Sequence, residues 1–284
     1  MSQPLVVLTY PGHFLLTALT IKSYTKFHNP KSIYVVVDDI SEQSWPGYFD
    51  DCQNLYKNCK VISTTGMPVV QRFAKNPWIR QQFIKLHLDQ ILDVDKWFFS
   101  DGDVEFVTSA PYDATPYSII RGGDTQIVQN AFVGKALQID NVGIYVTHSS
   151  IDWVDTKTAQ VCVSNPPFRT MKKETLKLLR DFFFQTHQKD IVQFQLDIQP
   201  HHKNFLTSEW ELLANFEKNI LNHDLNLVHY PTYPIDQPPE DSSTGSDYCL
   251  TCYVTDSGFD RAWWQHKQID VDDKTWFRIC EIPK

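Results

Sequence analysis

Three short runs of this chain are built almost wholly of bulky apolar residues and show no alternation with polar ones: Leu5-Val6-Val7-Leu8-Thr9, Ile33-Tyr34-Val35-Val36-Val37 and Trp97-Phe98-Phe99-Ser100. A strand with one wet face alternates with a period of two residues. A run without alternation is buried on both faces, as happens when helices cover both sides of a mostly parallel sheet. After the first run comes the turn Tyr10-Pro11-Gly12-His13 and then a helical period from Phe14 to Phe27. A short third strand is expected at Val61 and Ile62, and a helix from Trp78 to Leu92 leads into the run at Trp97. This alternation predicts an α/β, Rossmann-like fold with a mixed, mostly parallel central sheet flanked by helices. Beyond Asp103 the pattern weakens. Strands are expected at Tyr117 to Arg121 and Val142 to Val146, a helix from Met171 to Thr186, and a surface loop over the Pro-, Ser- and acid-rich stretch from Pro231 to Ser246.

The third run ends abruptly in Asp101-Gly102-Asp103. Open α/β sheets bind ligands outside the carboxyl ends of their strands, so these carboxylates are expected at the functional edge, with Gly102 letting the backbone approach a ligand closely. Paired carboxylates suit Mg2+ or Mn2+, which keep positions open for substrate phosphates. Asp-x-Asp also occurs at Asp93 and Asp95, at the end of a predicted helix, and at Asp270 and Asp272, in a polar stretch that reads as a solvated turn. Only the middle copy follows a buried strand. No Gly-x-Gly-x-x-Gly follows the first strand and no P-loop pattern occurs, which removes the main support for a dinucleotide or P-loop site.

With 284 residues and 42% hydrophobic content, the chain can bury a full core. Its formal charge of -8 argues against nucleic acid or an anionic membrane as the main partner. An anionic substrate would then need a divalent cation. No stretch is long and apolar enough for a transmembrane segment, the first residues lack signal-peptide character and no Asn-x-Ser/Thr sequon occurs, so a soluble, cytoplasmic protein is expected. Cys249 and Cys252 have zinc-knuckle spacing but no second pair nearby, and reduced thiols are the expectation for the six cysteines.

Three segments carry a resemblance: Trp78-Ile79-Arg80-Gln81-Gln82-Phe83-Ile84-Lys85-Leu86, the Asp101-Gly102-Asp103 strand end, and Ser208-Glu209-Trp210-Glu211-Leu212. They are similar to the Trp-x-x-Gln-Gln-x-x-Lys-Leu, Asp-x-Asp and Ser-Glu-aromatic-Glu-Leu segments of a family of GT-A-like glycosyltransferases found in bacteria and large DNA viruses. The resemblance covers roughly residues 5 to 225. It implies a single GT-A-like domain over 1–284, with a nucleotide-sugar-binding half at 1–107 and an acceptor half at 108–284 that ends in a C-terminal lid. It also implies Mn2+ or Mg2+ as cofactor, a nucleoside diphosphate sugar (UDP-linked, UDP-xylose among the options) as donor, a glycan hydroxyl as acceptor and, for a viral protein, the host cytoplasm. Inversion and retention both stay open, inversion being favoured.

On this reading Asp101 and Asp103 hold the metal and the diphosphate, Thr9, Tyr10 and Asp38 flank the nucleoside, and Glu209 is the general base. Helical spacing places Gln82 and Lys85 on one side, where they could reach a diphosphate or form a solvated face. Ser208 and Glu211 have the spacing of a capping box, which leaves Glu209 at the first helical position. His266 is the preferred third metal ligand, with His229 as the alternative; His201 and His202 are expected to be ordinary residues. Asp38 and Asp39 end the second strand, where an acid can read a ribose or simply close a turn. Asp124 could meet sugar hydroxyls, and a glycine turn explains it almost as well. The rival readings are a sugar nucleotidyltransferase and a non-catalytic glycan-binding or scaffold protein; Trp263 and Trp264, expected to be exposed, could serve sugar stacking in a transferase and in a silent binder alike.

Overall fold

The computed structural model describes residues 3–38, 45–73, 76–110, 112–113, 115–119, 124–140, 142, 144–147, 158–162, 168–198, 208–229, 250–252, 261–269 and 272–273. The expected loop at 231–246, Asp39, His201, His202, Cys249 and Asp270 lie outside them.

The described elements begin with β1 (Leu5–Thr9), α1 (Phe14–Phe27), β2 (Ile33–Val37), α2 (Tyr48–Leu55), β3 (Lys60–Ser63), α3 (Pro68–Arg72) and α4 (Pro77–Lys85). Next come β4 (Lys96–Asp101), β5 (Val104–Phe106), β6 (Thr115–Ile119), α5 (Asp124–Leu137), β7 (Ile144–Thr147), β8 (Thr158–Cys162) and β9 (Phe168–Lys172). The last are α6 (Lys173–His187), α7 (Ile191–Ile198), α8 (Glu209–Asn215), β10 (Leu227–His229), β11 (Leu250–Cys252) and α9 (Arg261–His266). They group into two compact units that interleave along the chain: 1–71, 96–112 and 233–284 form one, and 72–95 with 113–232 the other.

In the first unit the apolar runs are parallel strands in the order β3-β2-β1-β4. All of β1 is buried, as are Trp97, Phe98 and Phe99 of β4, which is what the missing alternation predicted. One face of the sheet is covered by Phe14, Leu15, Leu16 and Leu19 of α1, packed with Val35, Val37, Trp45, Tyr48 and Tyr56. Trp264 of α9 is fully buried in the same cluster. On the surface of this unit, Lys22 donates to the Lys267 carbonyl at 2.8 Å, and Lys267 pairs with Glu105 at 2.7 Å. The C-terminal helix is thus a constituent of this unit's core. Antiparallel pairing of β5 with β11 is a second feature that the sequence pattern did not announce.

The second unit has a four-stranded sheet in the order β10-β6-β8-β7, with β6 parallel to β10 and antiparallel to β8. Helix α4 starts where Asn76 accepts the Ile79 amide at 3.1 Å and Pro77 fills a position that needs no N–H. It stops at Lys85, short of the predicted Leu92, because the chain tightens: the His87 amide donates to Ile84 at 3.0 Å, three residues back, and a 3-10 turn follows at Leu88–Gln90. Met171 and Lys172, expected in a helix, instead close β9, and α6 begins at Lys173. Arg180 of α6 ties that helix to the turn through Asp89, at 2.7 Å.

Candidate functional site

The chain runs β1, β2, β3 outward in one direction and then returns to lay β4 on the other side of β1. In open α/β sheets such a reversal marks the switch point, here at the carboxyl ends of β1 and β4, outside which ligands bind. The parallel register places Leu8 opposite both Val36 and Asp101, and Thr9 opposite Val37. Thr9, Tyr10, Asp38 and Asp101 therefore stand within about two residues of one level along the edge. The Asp38 amide donates to the Thr9 carbonyl at 2.9 Å, which seals β1 to β2 at this end.

Asp101 and Asp103 are half-buried on either side of Gly102. The glycine has a reason that the sequence did not disclose. A Cβ at Gly102 would lie 2.6 Å from the Leu8 carbonyl oxygen and against the Thr17 hydroxyl. The missing side chain thus admits α1 and β1, whereas the sequence suggested close approach to a ligand. Gly102→Ala is expected to cost about 1–3 kcal/mol through overpacking, measured as a lowered midpoint of thermal unfolding. An unchanged midpoint would mean that the turn yields freely.

Beneath the edge runs a chain of hydroxyls. Thr9 Oγ1 is 3.1 Å from the Tyr48 hydroxyl and 2.9 Å from Thr17 Oγ1, and Thr17 Oγ1 is 3.3 Å from the Gly102 carbonyl. Thr9, Thr17 and Tyr48 are fully buried, so Thr9 bears on the site as a support of its floor. Burial, with Cys52 and Tyr56 as further contributors, pushes the Tyr48 phenol upward, which keeps it a neutral hydrogen-bonding group. Tyr10 is half-buried, its hydroxyl 2.5 Å from His13 Nε2 and its ring against Gly12, where a Cβ would stand 3.0 Å from the Tyr10 ring. These contacts hold the Tyr10 ring as a fixed shelf at the end of β1.

The sheet edge can be tested for a divalent ion on its own donors. Asp101 and Asp103 offer hard oxygens, and Mg2+ or Mn2+ is commonly held by one or two carboxylates with water and substrate phosphate in the remaining positions. Among the described residues no three of His, Cys, Asp and Glu gather to enclose a metal. His266, the expected third ligand, is exposed on α9 and forms no such cluster with the two aspartates. His229 ends β10, in the second unit. The donor set fits an ion bound jointly with phosphate and does not fit an all-protein cage. Asp93, Asp95 and Asp272 are exposed, and Asp95 stands just before the amino end of β4 rather than at its carboxyl end.

In the second unit, two of the segments singled out in the sequence meet. Lys85 Nζ lies 2.7 Å from Glu209 Oε1, with side-chain exposures of 6% and 3%. It also sits 5.0 Å from the centroid of the Trp210 ring. The Gln82 side-chain amide abuts the same carboxylate, and its nitrogen belongs on that side, since the opposite orientation sets an oxygen against an anion. Residues expected at a diphosphate or on a wet face are thus engaged with Glu209. Glu209 is the first residue of α8, as the capping pattern required, and the Ser208 hydroxyl accepts the Glu211 amide at 3.3 Å. The Glu211 carboxylate accepts from Asn215 at 3.4 Å. Asp124 opens α5, and the Arg121 to Gly123 stretch before it lies outside the described residues.

No protein-family model matches the chain, and no curated protein matches it in sequence. Solved structures to which it is similar include the apo form of the glycosyltransferase GlyE of Streptococcus pneumoniae, with 11% identity and a TM-score of 0.40 over 99% of this chain. The chain spans 63% of the GlyE chain's length. The galactosyltransferase LgtC, in complex with donor and acceptor sugar analogues, is similar over 97% of this chain and 99% of its own, with 12% identity and a TM-score of 0.42. Mouse xyloside xylosyltransferase 1 is similar over 82% of this chain and 85% of its own, with 12% identity and a TM-score of 0.37.

Proposed function

We propose that the protein is a glycosyltransferase that moves a sugar from a nucleoside diphosphate donor, in the first instance a UDP-sugar such as UDP-xylose, to a hydroxyl of a glycan acceptor, with inversion. The observation that carries this reading is the seating of Asp101-Gly102-Asp103 at the β1/β4 switch point of a parallel β3-β2-β1-β4 sheet. The resemblance of the segments at Trp78 and Ser208 to those of GT-A-like transferases supports it.

Each residue then has a defined task. The Tyr10 shelf flanks the nucleoside, and Thr9 and Asp38, both fully buried, fix the backbone beneath it. Asp101 and Asp103 would hold Mn2+ or Mg2+ together with the diphosphate of the donor. Such an ion, when bound, neutralises the charge that develops on the departing diphosphate. Glu209 is the candidate base for the acceptor hydroxyl, and Lys85 and Gln82 set the direction of its carboxylate.

The products test the reaction class. Incubation with UDP-sugars, Mn2+ and a panel of glycans is expected to release UDP in step with glycosylated acceptor. Release of pyrophosphate from a nucleoside triphosphate and a sugar phosphate would instead assign the site to nucleotidyl transfer.

A further inference from the structure

Helix α1 is apolar along most of its length, yet it carries Thr17, Thr20 and Ser23 three residues apart, on one face, 0%, 0% and 7% exposed. Besides Thr9 for Thr17 and carbonyls of their own helix for Thr20 and Ser23, each meets a backbone group of the segment that leaves the Asp101 turn. Thr20 Oγ1 donates to the Val104 carbonyl at 2.7 Å and accepts the Val104 amide at 3.2 Å. Ser23 Oγ accepts the Phe106 amide at 3.0 Å, and Thr17 Oγ1 is 3.3 Å from the Gly102 carbonyl. The series ends at His28, whose Nε2 accepts the Ala110 amide at 3.0 Å.

Alternate residues of a strand turn their backbone groups to opposite edges. One edge of β5 is occupied by β11. Along the other edge Val104 and Phe106 would present bare amides, and a buried amide without a partner is costly. The hydroxyls of α1 stand in for the absent strand. Thr20 does so most fully, since its single oxygen both gives to and takes from Val104 as a paired strand residue would.

Asp103 lies between the two backbone positions held most directly, Gly102 and Val104. We infer that Thr17 and Thr20 are positioning residues that fix the Asp103 carboxylate relative to Asp101, so that α1 sets the geometry of the pair. This inference rests on the proposed role of Asp101 and Asp103 as ligands of a divalent ion. Supports one step behind metal ligands commonly change affinity by about 10- to 100-fold when removed.

The test titrates Mn2+ into the full chain in the presence of saturating UDP, because the donor set fits an ion bound jointly with phosphate, and follows the electron paramagnetic resonance of the ion not bound to protein. Thr20→Val keeps the shape and deletes the hydroxyl, and it is expected to weaken Mn2+ binding by roughly 10- to 100-fold. Thr20→Ser restores the hydroxyl and is expected to bind close to wild type; a merely steric role for Thr20 would not be rescued in this way. Thr17→Val, which removes the bond to Gly102, supplies the same comparison if Thr20→Val does not fold. Asp103→Ala separates the two layers of the claim. If it binds Mn2+ as wild type does, or wild type binds none, the metal role of the pair falls and the inference with it. If Asp103→Ala loses the ion while the valine variants keep it, the positioning role alone is overturned.

Discussion

Lys85→Met is expected to lower the stability of the protein by about 3–5 kcal/mol. Lys85 and Glu209 are almost wholly enclosed, 2.7 Å apart, with Trp210 beside the ammonium and Gln82 on the carboxylate. Two charges taken out of water offset each other's desolvation only while both are present; removing the cation leaves an anion with no adequate partner. The physics makes a second, less obvious demand. The double variant Lys85→Met/Glu209→Leu replaces the pair by apolar groups, and such replacements are often neutral or stabilising. It is therefore expected to recover most of the loss, read as the midpoint of chemical denaturation. A single variant that costs under about 1 kcal/mol, the range of an exposed pair, would show that Glu209 is in effect solvated. A double variant no better than the single would show that the pair does more than cancel its own charges.

The other large effect is on chemistry. Asp103→Ala, and Asp101→Asn beside it, are expected to reduce transfer by roughly 10²–10³-fold or more, the scale on which one electrostatic contact to a developing charge acts. Both residues are half-buried at the carboxyl end of β4, outside the packed Trp97-Phe98-Phe99 core, so the fold should survive either change. Circular dichroism and thermal unfolding close to wild type, with transfer lost, would be the expected pair of results. Transfer at wild-type rate in Asp103→Ala would remove that residue from the mechanism.

Much of the first unit was legible in the sequence because its signals are local. Four consecutive apolar residues from Leu5 and five from Ile33 admit few alternatives to buried parallel strands, and both strands, with the helix from Phe14 to Phe27, stand where the pattern put them. Ser208 likewise marked the start of α8 through an interaction three residues long. What was hidden depends on distant partners. Helical spacing put Gln82 and Lys85 on one side of α4 but could not say that the side would meet Glu209, 124 residues away from Lys85. Thr17, Thr20 and Ser23 stood in plain view as a polar row on an apolar helix. Their meaning lies in the amides of Val104 and Phe106, more than 80 residues on. The reason for Gly102 was hidden in the same way, since the Leu8 carbonyl and Thr17 that crowd it are remote in sequence.

The central claim is that the β1/β4 switch point binds a nucleoside diphosphate through a divalent ion held by Asp101 and Asp103. Calorimetric titration of UDP, GDP and their sugars, with Mn2+ and again with chelator, tests it most directly. The account predicts binding of one base that depends on Mn2+ and is lost in Asp101→Asn and in Asp103→Ala. Binding that survives the chelator or either substitution, or no binding of any nucleotide with Mn2+ present, would contradict it.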